Sequence, residues 1–198
     1  MSTTRPEPAH AASTLTLATP DPRHQASYLA ALGELAAEGS SSSFDLVWPA
    51  EGSFPGVHYS ASRLRDPAVF AEFCRYTVAM ADEATSRPSG WVAGTYLWMV
   101  VDDEVVGRIS LRHTLTPWLR EFGGHIGYAV RPTARGRGYA KAALGLMLPV
   151  AAARGIDPVL VTCDEDNVAS RRTIEANGGV LEDVRGVKMR FWLRTVSS

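Results

Sequence analysis

A turn rich in arginine and glycine is the part of this sequence whose residue types and spacing could do chemistry. Within VRPTARGRGYAKAAL, residues 130–144, three arginines and two glycines separate an apolar segment from an alanine-rich one. Glycine permits backbone dihedrals that other residues avoid, and arginine pairs well with phosphate oxygens. The turn could be a solvated basic loop or a site for a phosphorylated ligand, and its flanks decide between the two.

The flanking segments favour a ligand site. HIGYAV, residues 125–130, has the pattern of a strand, and YAKAALGLM, residues 139–147, has the pattern of a helix. A chain that passes from a strand into a helix can direct several unpaired N–H groups at an anion, with the positive end of the helix dipole behind them. We therefore expect this turn to bind an anion such as phosphate.

Two common phosphate-binding motifs do not fit the spacing. A Walker A loop requires G-x-x-x-x-G-K-[ST], which is absent. A Rossmann fingerprint requires a third glycine where Lys141 stands, and it follows the first strand of a strand–helix–strand repeat. Here the preceding strands are predicted to be antiparallel, so a different phosphate-binding turn is needed.

The elements that must position the turn follow from the periodicity of apolar residues. A short strand is predicted within residues 13–20, a helix through Tyr28 to Gly39, and a second helix from Asp66. Residues 40–65 are predicted to be a loop packed against the domain by its aromatic residues. From residue 91 the predicted order is strand, strand, strand, helix, strand, helix, strand, strand. One strand–helix–strand unit within an otherwise antiparallel sheet indicates a mixed α+β fold.

With these elements in place, the turn resembles a known motif. Arg135-x-x-Gly138-x-Ala140, between a strand and a helix, resembles the [RQ]-x-x-G-x-[GA] motif of the GNAT superfamily of acyl-CoA-dependent N-acyltransferases. Asn167-x-x-Ser170 resembles the family's N-x-x-[AS] at the start of the next helix. The resemblance covers residues 95–184, and it is strongest to a branch of uncharacterised predicted acetyltransferases.

The resemblance implies a fold and a binding mode. The fold would be α+β, a mixed and mostly antiparallel central sheet with a splayed parallel strand pair and flanking helices. Strands 123–130 and 159–163 would start parallel and then diverge into a notch for the pantetheine arm of acetyl-CoA. The implied cofactor-binding residues are the backbone of Ala129 and Val130 beside that arm, Arg135, Gly136, Arg137, Gly138, Tyr139 and Ala140 around the pyrophosphate, and Asn167 and Ser170 near the pantetheine.

The resemblance fails at the positions that carry proton transfer in the family. The family's carboxylate and tyrosine positions fall on Gly124, Thr162 and Ile174, none of which can act as an acid or base. Ionisable residues nearby remain catalytic candidates. These candidates are His113, His125, Glu121 and Asp164.

Each candidate has a structural alternative. The histidines could be hydrogen-bonded residues at a strand edge, and the acids could be solvated loop residues or a helix cap. Arg112 could anchor an acidic acceptor or be an exposed arginine at a strand end. The aromatic residues of the 40–65 segment could cover an acceptor pocket or cap the core.

The expected function is transfer of an acetyl group from acetyl-CoA to a primary amine, on a small molecule or a peptide, in a ternary complex. The alternative is an acyl-CoA-binding module without turnover. The formal net charge of −1 gives no reason to expect nucleic acid or a membrane as a partner. Cys74 and Cys163 form no C-x-x-C, so we expect no metal and no disulfide, and reduced thiols in a cytoplasm.

The expected organisation is simple. Residues 1–12 are expected to be a disordered leader, and residues 13–198 a single domain. The C-terminal strands could pair in a homodimer.

Overall fold

A computed structural model describes residues 14–39 and 46–195 of the chain. The strands are β1 (Thr16–Ala18), β2 (Leu46–Trp48), β3 (Val57–Tyr59), β4 (Gly94–Val101), β5 (Glu104–Arg112), β6 (Ile126–Val130), β7 (Val159–Asp164), β8 (Val180–Arg185) and β9 (Lys188–Leu193), and the α-helices are α1 (Gln25–Ala37), α2 (Pro67–Ala79), α3 (Tyr139–Ala152) and α4 (Val168–Glu175). The leader expected at residues 1–12 lies outside the described residues.

Seven of the strands form one sheet in the order β1-β4-β5-β6-β7-β9-β8. Among the described strands of this sheet, the β6–β7 pair is parallel and every other pair is antiparallel. The prediction of a mixed, mostly antiparallel sheet with one parallel pair is confirmed, and so is the predicted order of elements from residue 91 onwards. The order of elements could be predicted because the signals are local. Asp102 and Asp103 adopt positive φ in the β4–β5 turn, and the Asp66 carboxylate caps α2.

The segment predicted to be a loop contains a small hairpin. Strands β2 and β3 pair antiparallel, with Leu46 opposite Tyr59. Phe54 and Tyr59 are buried, and the Tyr59 hydroxyl donates a hydrogen bond to Glu72 at 2.8 Å. Three-residue strands between proline and glycine residues are too short to give a recognisable alternation, which is why the sequence pattern missed them. Phe44, part of the same prediction, lies outside the described residues.

The core has two clusters, one on each face of the large sheet. Period-2 alternation in β4 sends Trp98 to the face covered by α1 and α2, and Met99 to the face covered by α3. Tyr28 and Phe70 pack edge-to-face in the first cluster. Helices cover both faces of the sheet. A ligand could therefore enter at the carboxyl ends of β6 and β7.

Strands β5 and β6 approach so closely at Gly107 that a side chain would not fit. A Cβ at this position would lie 2.5 Å from the Ala129 carbonyl oxygen and 2.9 Å from the Met99 sulfur. The approach holds the central strand β6 against its antiparallel neighbour.

We predict that Gly107→Ala destabilises the protein by about 2 kcal/mol, because the added methyl forces backbone to move. Urea unfolding of the purified protein measures the change. The matched control is Gly33→Ala in α1, where a Cβ meets nothing within 4 Å. That substitution should stabilise by about 0.5–1 kcal/mol, since alanine favours the helix. Equal effects of the two substitutions would contradict the close approach at Gly107.

Candidate functional site

The parallel pair β6–β7 opens into a gap after a short contact. In the described chain the two strands share one register pair, Ile126 with Val161. Just before it, the His125 N–H donates to the Leu160 carbonyl at 2.7 Å, and the Leu160 N–H donates to His125 Nδ1 at 2.9 Å. These bonds close one end of the gap, and the divergence beyond them confirms the predicted splayed pair.

The backbone of β6 alternates between its neighbour β5 and the gap. The Arg131 N–H donates to the Val106 carbonyl at 2.9 Å, which identifies Arg131 as a residue whose backbone faces β5. By period-2 alternation Ala129 also faces β5, whereas Tyr128 and Val130 present their backbone groups to the gap. Ala129 and Val130 were both predicted to contact a ligand through their backbone. The backbone groups of Val130 face the gap, whereas those of Ala129 face β5.

The arginine–glycine turn presents a row of open amides. Gly136 and Gly138 adopt φ of 77° and 79°, and Gly138 is the residue before the first turn of α3. The Arg135 amide donates to the Pro132 carbonyl at 3.2 Å, within the entry to the turn. Among the described residues, no acceptor meets the amides of residues 136–141. Six N–H groups are thus available at the positive end of a 14-residue helix, where an anion is stabilised.

Helix α1 holds the entry to this turn. Glu34 accepts hydrogen bonds from Arg131 Nε at 2.9 Å and from the Thr133 amide at 3.1 Å. The hydrogen bond from Arg131 is the main cause that lowers the pKa of Glu34 to about 2. The carboxylate is therefore charged at any physiological pH, and the segment before the turn is fixed to α1.

The Arg135 guanidinium is already engaged by the protein. It pairs with Glu38, the residue that follows α1, with Nη2 2.8 Å from Oε2, and its Nε donates to the Val130 carbonyl at 3.2 Å. The sequence led us to expect that Arg135 would meet phosphate oxygens directly. In the structure its hydrogen bonds shape the turn, so the anion-binding capacity of the turn lies mainly in its amides.

Other cations lie closer to the groove. Arg137 is exposed and does not line it, whereas Lys141 and Arg172 do. Lys141 was not predicted from the sequence to be a ligand-binding residue, although its position in the first turn of α3 was the available signal. Arg171 instead pairs with Glu175 on its own helix, with 2.8 Å between Nε and Oε1.

The gap and the turn form one continuous groove of about 870 Å³. Asn167 caps α4 at its edge, since Oδ1 accepts the Ser170 N–H at 3.0 Å. The predicted cofactor-binding residues meet here with the exception of Arg137. The groove is lined by Ala129, Val130, Arg135, Gly136, Gly138, Tyr139, Ala140, Asn167 and Ser170, together with residues of α1, β6, α3 and α4.

A pair of hydroxyl groups lies in the same groove. The Tyr128 hydroxyl is 2.8 Å from Ser170 Oγ, and both residues line the groove. Burial raises the pKa of Tyr128 to about 12, so its phenol stays protonated at neutral pH. Tyr128 was not singled out from the sequence, but alternation with Ile126 and Val130 places it on the groove side of β6.

The four predicted acid–base candidates do not come together. His113 Nε2 lies 2.9 Å from Thr95 Oγ1, and its Nδ1 lies 3.4 Å from Arg154 Nη1 just beyond the C-terminal end of α3. The open amides lie at the opposite end of the same helix, about 20 Å away for 14 residues. His113 is therefore remote from the amide row.

His125 is close to the gap but cannot act as a base there. Its Nδ1 lone pair accepts the Leu160 amide, so the proton of the neutral ring is on Nε2. Burial, with a smaller effect of Arg120 and Arg112, lowers its pKa to about 4. The ring is neutral at physiological pH, and its only lone pair already has a partner.

The two acidic candidates are ion-paired. Glu121 pairs with Arg185 and lies 4.0 Å from Arg190 Nη1, and Asp164 pairs with Lys188 at 2.6 Å. The first contact joins the segment before β6 to the β8–β9 hairpin, and the second joins the last residue of β7 to the same hairpin. For these two residues the geometry fits the structural alternative better than a catalytic role.

The three positions that correspond to the family's acid–base residues are occupied by structural residues. A Cβ on Gly124 would lie 2.6 Å from the Leu160 carbonyl oxygen, so no carboxylate fits there. The Thr162 hydroxyl donates to the Phe122 carbonyl at 2.7 Å, and Ile174 is fully buried.

Residues 14–39 and 46–195 contain neither a metal-binding cluster nor a helix that could span a membrane. No group of three histidine, cysteine, aspartate or glutamate side chains is placed to share a metal ion there. Within the same ranges, no helix has the length and apolar character needed to cross a bilayer.

The fold and the groove agree with a family match. Residues 46–180 match the model of the acetyltransferase (GNAT) domain. The chain belongs to the GNAT acetyltransferase family, and the predicted class, an acyl-CoA-dependent N-acyltransferase, is confirmed at the level of the family. No curated protein sequence matches the chain.

Solved acetyltransferases share the fold at low sequence identity. The microcin C7 self-immunity acetyltransferase MccE, in complex with acetyl-CoA and AMP, is 12% identical with a TM-score of 0.57, over 93% of each chain. RimJ of Mycobacterium smegmatis, in complex with a CoA-disulfide, is 18% identical with a TM-score of 0.59, over 91% of this chain and 81% of that one. RimL, a ribosomal L7/L12 α-N-protein acetyltransferase in complex with coenzyme A, is 16% identical with a TM-score of 0.56, over 92% of this chain and 93% of that one.

The neutral His125 makes the stability depend on pH. Its pKa is about 4 in the folded state against 6.5 ordinarily, so between these values the unfolded state binds more protons. Stability is therefore full above pH 6.5 and is lost as the pH falls towards 4. We predict that His125→Asn, whose Oδ1 could still accept the Leu160 amide, removes about 2 kcal/mol of this loss. Urea unfolding at pH 7, 5.5 and 4 measures the free energy of unfolding of the wild type and the variant. The same dependence of that free energy on pH in both proteins would contradict the lowered pKa of His125.

Proposed function

We propose that the protein transfers an acetyl group from acetyl-CoA to the primary amine of an acceptor bound in the same complex. The observation that carries the proposal is the row of six open amides at the start of α3, continuous with the gap between β6 and β7. An anion at the row and an extended chain in the gap are the two features that coenzyme A combines. Complexes of MccE and RimL with acetyl-CoA or coenzyme A, in the same fold, support this choice.

Each part of the groove has a role in binding. The amides of residues 136–141 would hold the pyrophosphate, with Lys141 and Arg172 adding positive charge. The backbone of Tyr128 and Val130 would pair with the amide groups of the pantetheine arm, as an added strand would. The thioester would then lie deep in the gap, towards the end closed by His125.

The chemical step is a direct attack. The amine lone pair attacks the thioester carbonyl carbon, the C–S bond breaks, and the thiolate leaves. The Tyr128–Ser170 pair is the hydroxyl pair of the groove that could return a proton to this sulfur, giving free coenzyme A. The amine nitrogen gives up one proton to water as the amide forms, and the hydroxyl pair regains from water the proton that it gave to sulfur. The net products are therefore the N-acetyl compound and coenzyme A as the thiol.

Removal of the amine proton does not depend on the four ionisable residues predicted from the sequence, given where they lie. We propose that the acceptor binds as its free amine or loses its proton through water, and that orientation supplies much of the rate. Well-aligned reactants can reach effective molarities of about 10⁵ M or more. We propose a small-molecule or peptide amine as the acceptor. We also propose that the reaction takes place in a reducing cytoplasm, which is consistent with two buried, free cysteines.

We predict that Gly138→Asp lowers coenzyme A affinity at least 100-fold, because a carboxylate would lie beside the pyrophosphate among the open amides. Gly138→Asn is the matched neutral variant, and it should lose less than about tenfold. Asparagine tolerates positive φ, and a Cβ here meets nothing within 4 Å. Calorimetric titration with coenzyme A measures both affinities.

The control for backbone strain is Gly155→Asp, beyond the far end of α3. Gly155 has φ of 72° and open space around it, so the same substitution meets the same conformational cost away from the groove. Its coenzyme A affinity should equal that of the wild type. An unchanged affinity in Gly138→Asp would remove the proposed phosphate site.

We predict that Tyr128→Phe lowers kcat by about 10²-fold with coenzyme A affinity unchanged, because proton return to the thiolate is impaired while the ring stays in place. Thiol release from acetyl-CoA with a panel of primary amines measures kcat. If coenzyme A binds but no amine in a broad panel is acetylated by the wild type, the alternative of a non-catalytic acyl-CoA-binding module is favoured. If Tyr128→Phe turns over at the wild-type rate, the hydroxyl pair has no part in the reaction.

A further inference from the structure

A second cavity lies on the opposite face of the sheet from α3, on the α2 side. It has a volume of about 650 Å³ and is formed by the loop before β4, by β4 and β5, and by the segment after β5. The side chains that give it chemical character are two tryptophans, one tyrosine and one arginine. These are Trp91, Trp118, Tyr96 and Arg112.

Arg112 carries a positive charge in this cavity, and only part of its guanidinium is hydrogen-bonded to the protein. Its Nη1 donates to the carbonyls of Gly123 at 2.8 Å and Gly124 at 3.1 Å. In residues 14–39 and 46–195 no carboxylate pairs with Arg112, and its hydrogen bonds to the protein are made by Nη1, not by Nε or Nη2. When one nitrogen of a guanidinium is hydrogen-bonded to the protein, the N–H groups of Nε and Nη2 can still donate. A carboxylate can accept from both of these N–H groups at once.

The electrostatic surroundings also favour an anion. Burial lowers the pKa of Arg112, Tyr96 opposes this effect, and Arg108 adds to it. Arginine remains protonated even so. The described residues that line the cavity include no acidic side chain. A bound carboxylate would therefore relieve an unfavourable charge.

The aromatic side chains flank this charge. Trp91 is 46% exposed and packs on Trp48 with ring centroids 4.3 Å apart. Trp118 is 62% exposed and lies next to Phe122, at 5.8 Å between centroids. Exposed indole faces at the rim of a cavity are suited to a flat, apolar group of a ligand.

The cavity lies next to the strand that faces the gap. Gly127 precedes Tyr128 on β6, and a Cβ on Gly127 would be 3.7 Å from Arg112 Nη2 and 3.7 Å from Ser110 Oγ. A carboxylate on Arg112 is thus within a few ångströms of the backbone of β6. In an α-amino acid the amine is two bonds from the carboxylate carbon, so it too would lie within a few ångströms of this strand.

We propose that this cavity binds the acceptor, and that the acceptor is an aromatic α-amino acid whose carboxylate pairs with Arg112 and whose ring lies between Trp91 and Trp118. The inference rests on the proposed function, since it names the substrate class of the same reaction. The α-amine attacks the thioester, coenzyme A leaves as the thiol after taking a proton, and the product is the N-acetyl amino acid.

The test uses three probes that separate the two recognition elements. L-phenylalanine carries ring and carboxylate, 2-phenylethylamine carries the ring alone, and L-alanine carries the carboxylate alone. Calorimetric binding to the full chain saturated with coenzyme A should rank phenylalanine at least tenfold above each of the others. Arg112→Gln should abolish the preference for phenylalanine over phenylethylamine.

Because Arg112 also holds two carbonyls, Trp118→Ala provides a second variant at an exposed position. It should weaken phenylalanine at least fivefold, leave alanine unchanged, and leave coenzyme A affinity unchanged. Binding is measured without turnover, so the outcome is independent of whether acetyl transfer occurs. Equal affinity for phenylalanine and phenylethylamine, or tight binding of a peptide amine in their place, would overturn the inference and leave the proposed acetyl transfer intact.

Discussion

The structure depends on the separation of two central strands that begin as neighbours. In the described chain β6 and β7 share one register pair, Ile126 with Val161, and the double contact between His125 and Leu160 closes the end before it. Beyond this point the backbone groups of Tyr128 and Val130 face a gap in the middle of the sheet. Backbone groups without a partner inside a sheet are unfavourable. The Val130 carbonyl accepts from Arg135 Nε, and an extended ligand would pair with the remaining groups without any change of fold.

Some basic residues in and around the turn fix its conformation, and others contribute positive charge to the groove. Arg131 binds Glu34 of α1, and Arg135, which was predicted to contact phosphate, binds Glu38 at the C-terminal end of that helix, so both arginines hold the loop in place. The open amides at the start of α3 then remain without an acceptor among the described residues, and they form the anion site that we propose. Backbone amides are directional and need no side-chain ordering, which suits a ligand that must bind and leave in every cycle.

Much of this could be predicted from the sequence, because the signals were local. Alternation in the strands, the Asp66 cap and the arginine–glycine turn each act within a few residues, and they predicted the order of elements and the groove. The contacts of the acid–base candidates could not be predicted from the sequence because they are non-local: the pairing of Glu121 with Arg185 joins residues far apart in the chain. The Tyr128–Ser170 pair likewise forms only once β6 and α4 meet.

The central claim is that amides 136–141 bind the pyrophosphate of coenzyme A. Backbone amide chemical shifts of the ¹⁵N-labelled protein, recorded during titration with coenzyme A and with pantetheine, test it most directly. We expect coenzyme A to shift the amides of Gly136, Gly138 and their neighbours strongly, and pantetheine, which lacks phosphate, to leave them in place while it perturbs β6. Saturable binding of coenzyme A with these amides unmoved, and shifts confined to another surface, would contradict the account.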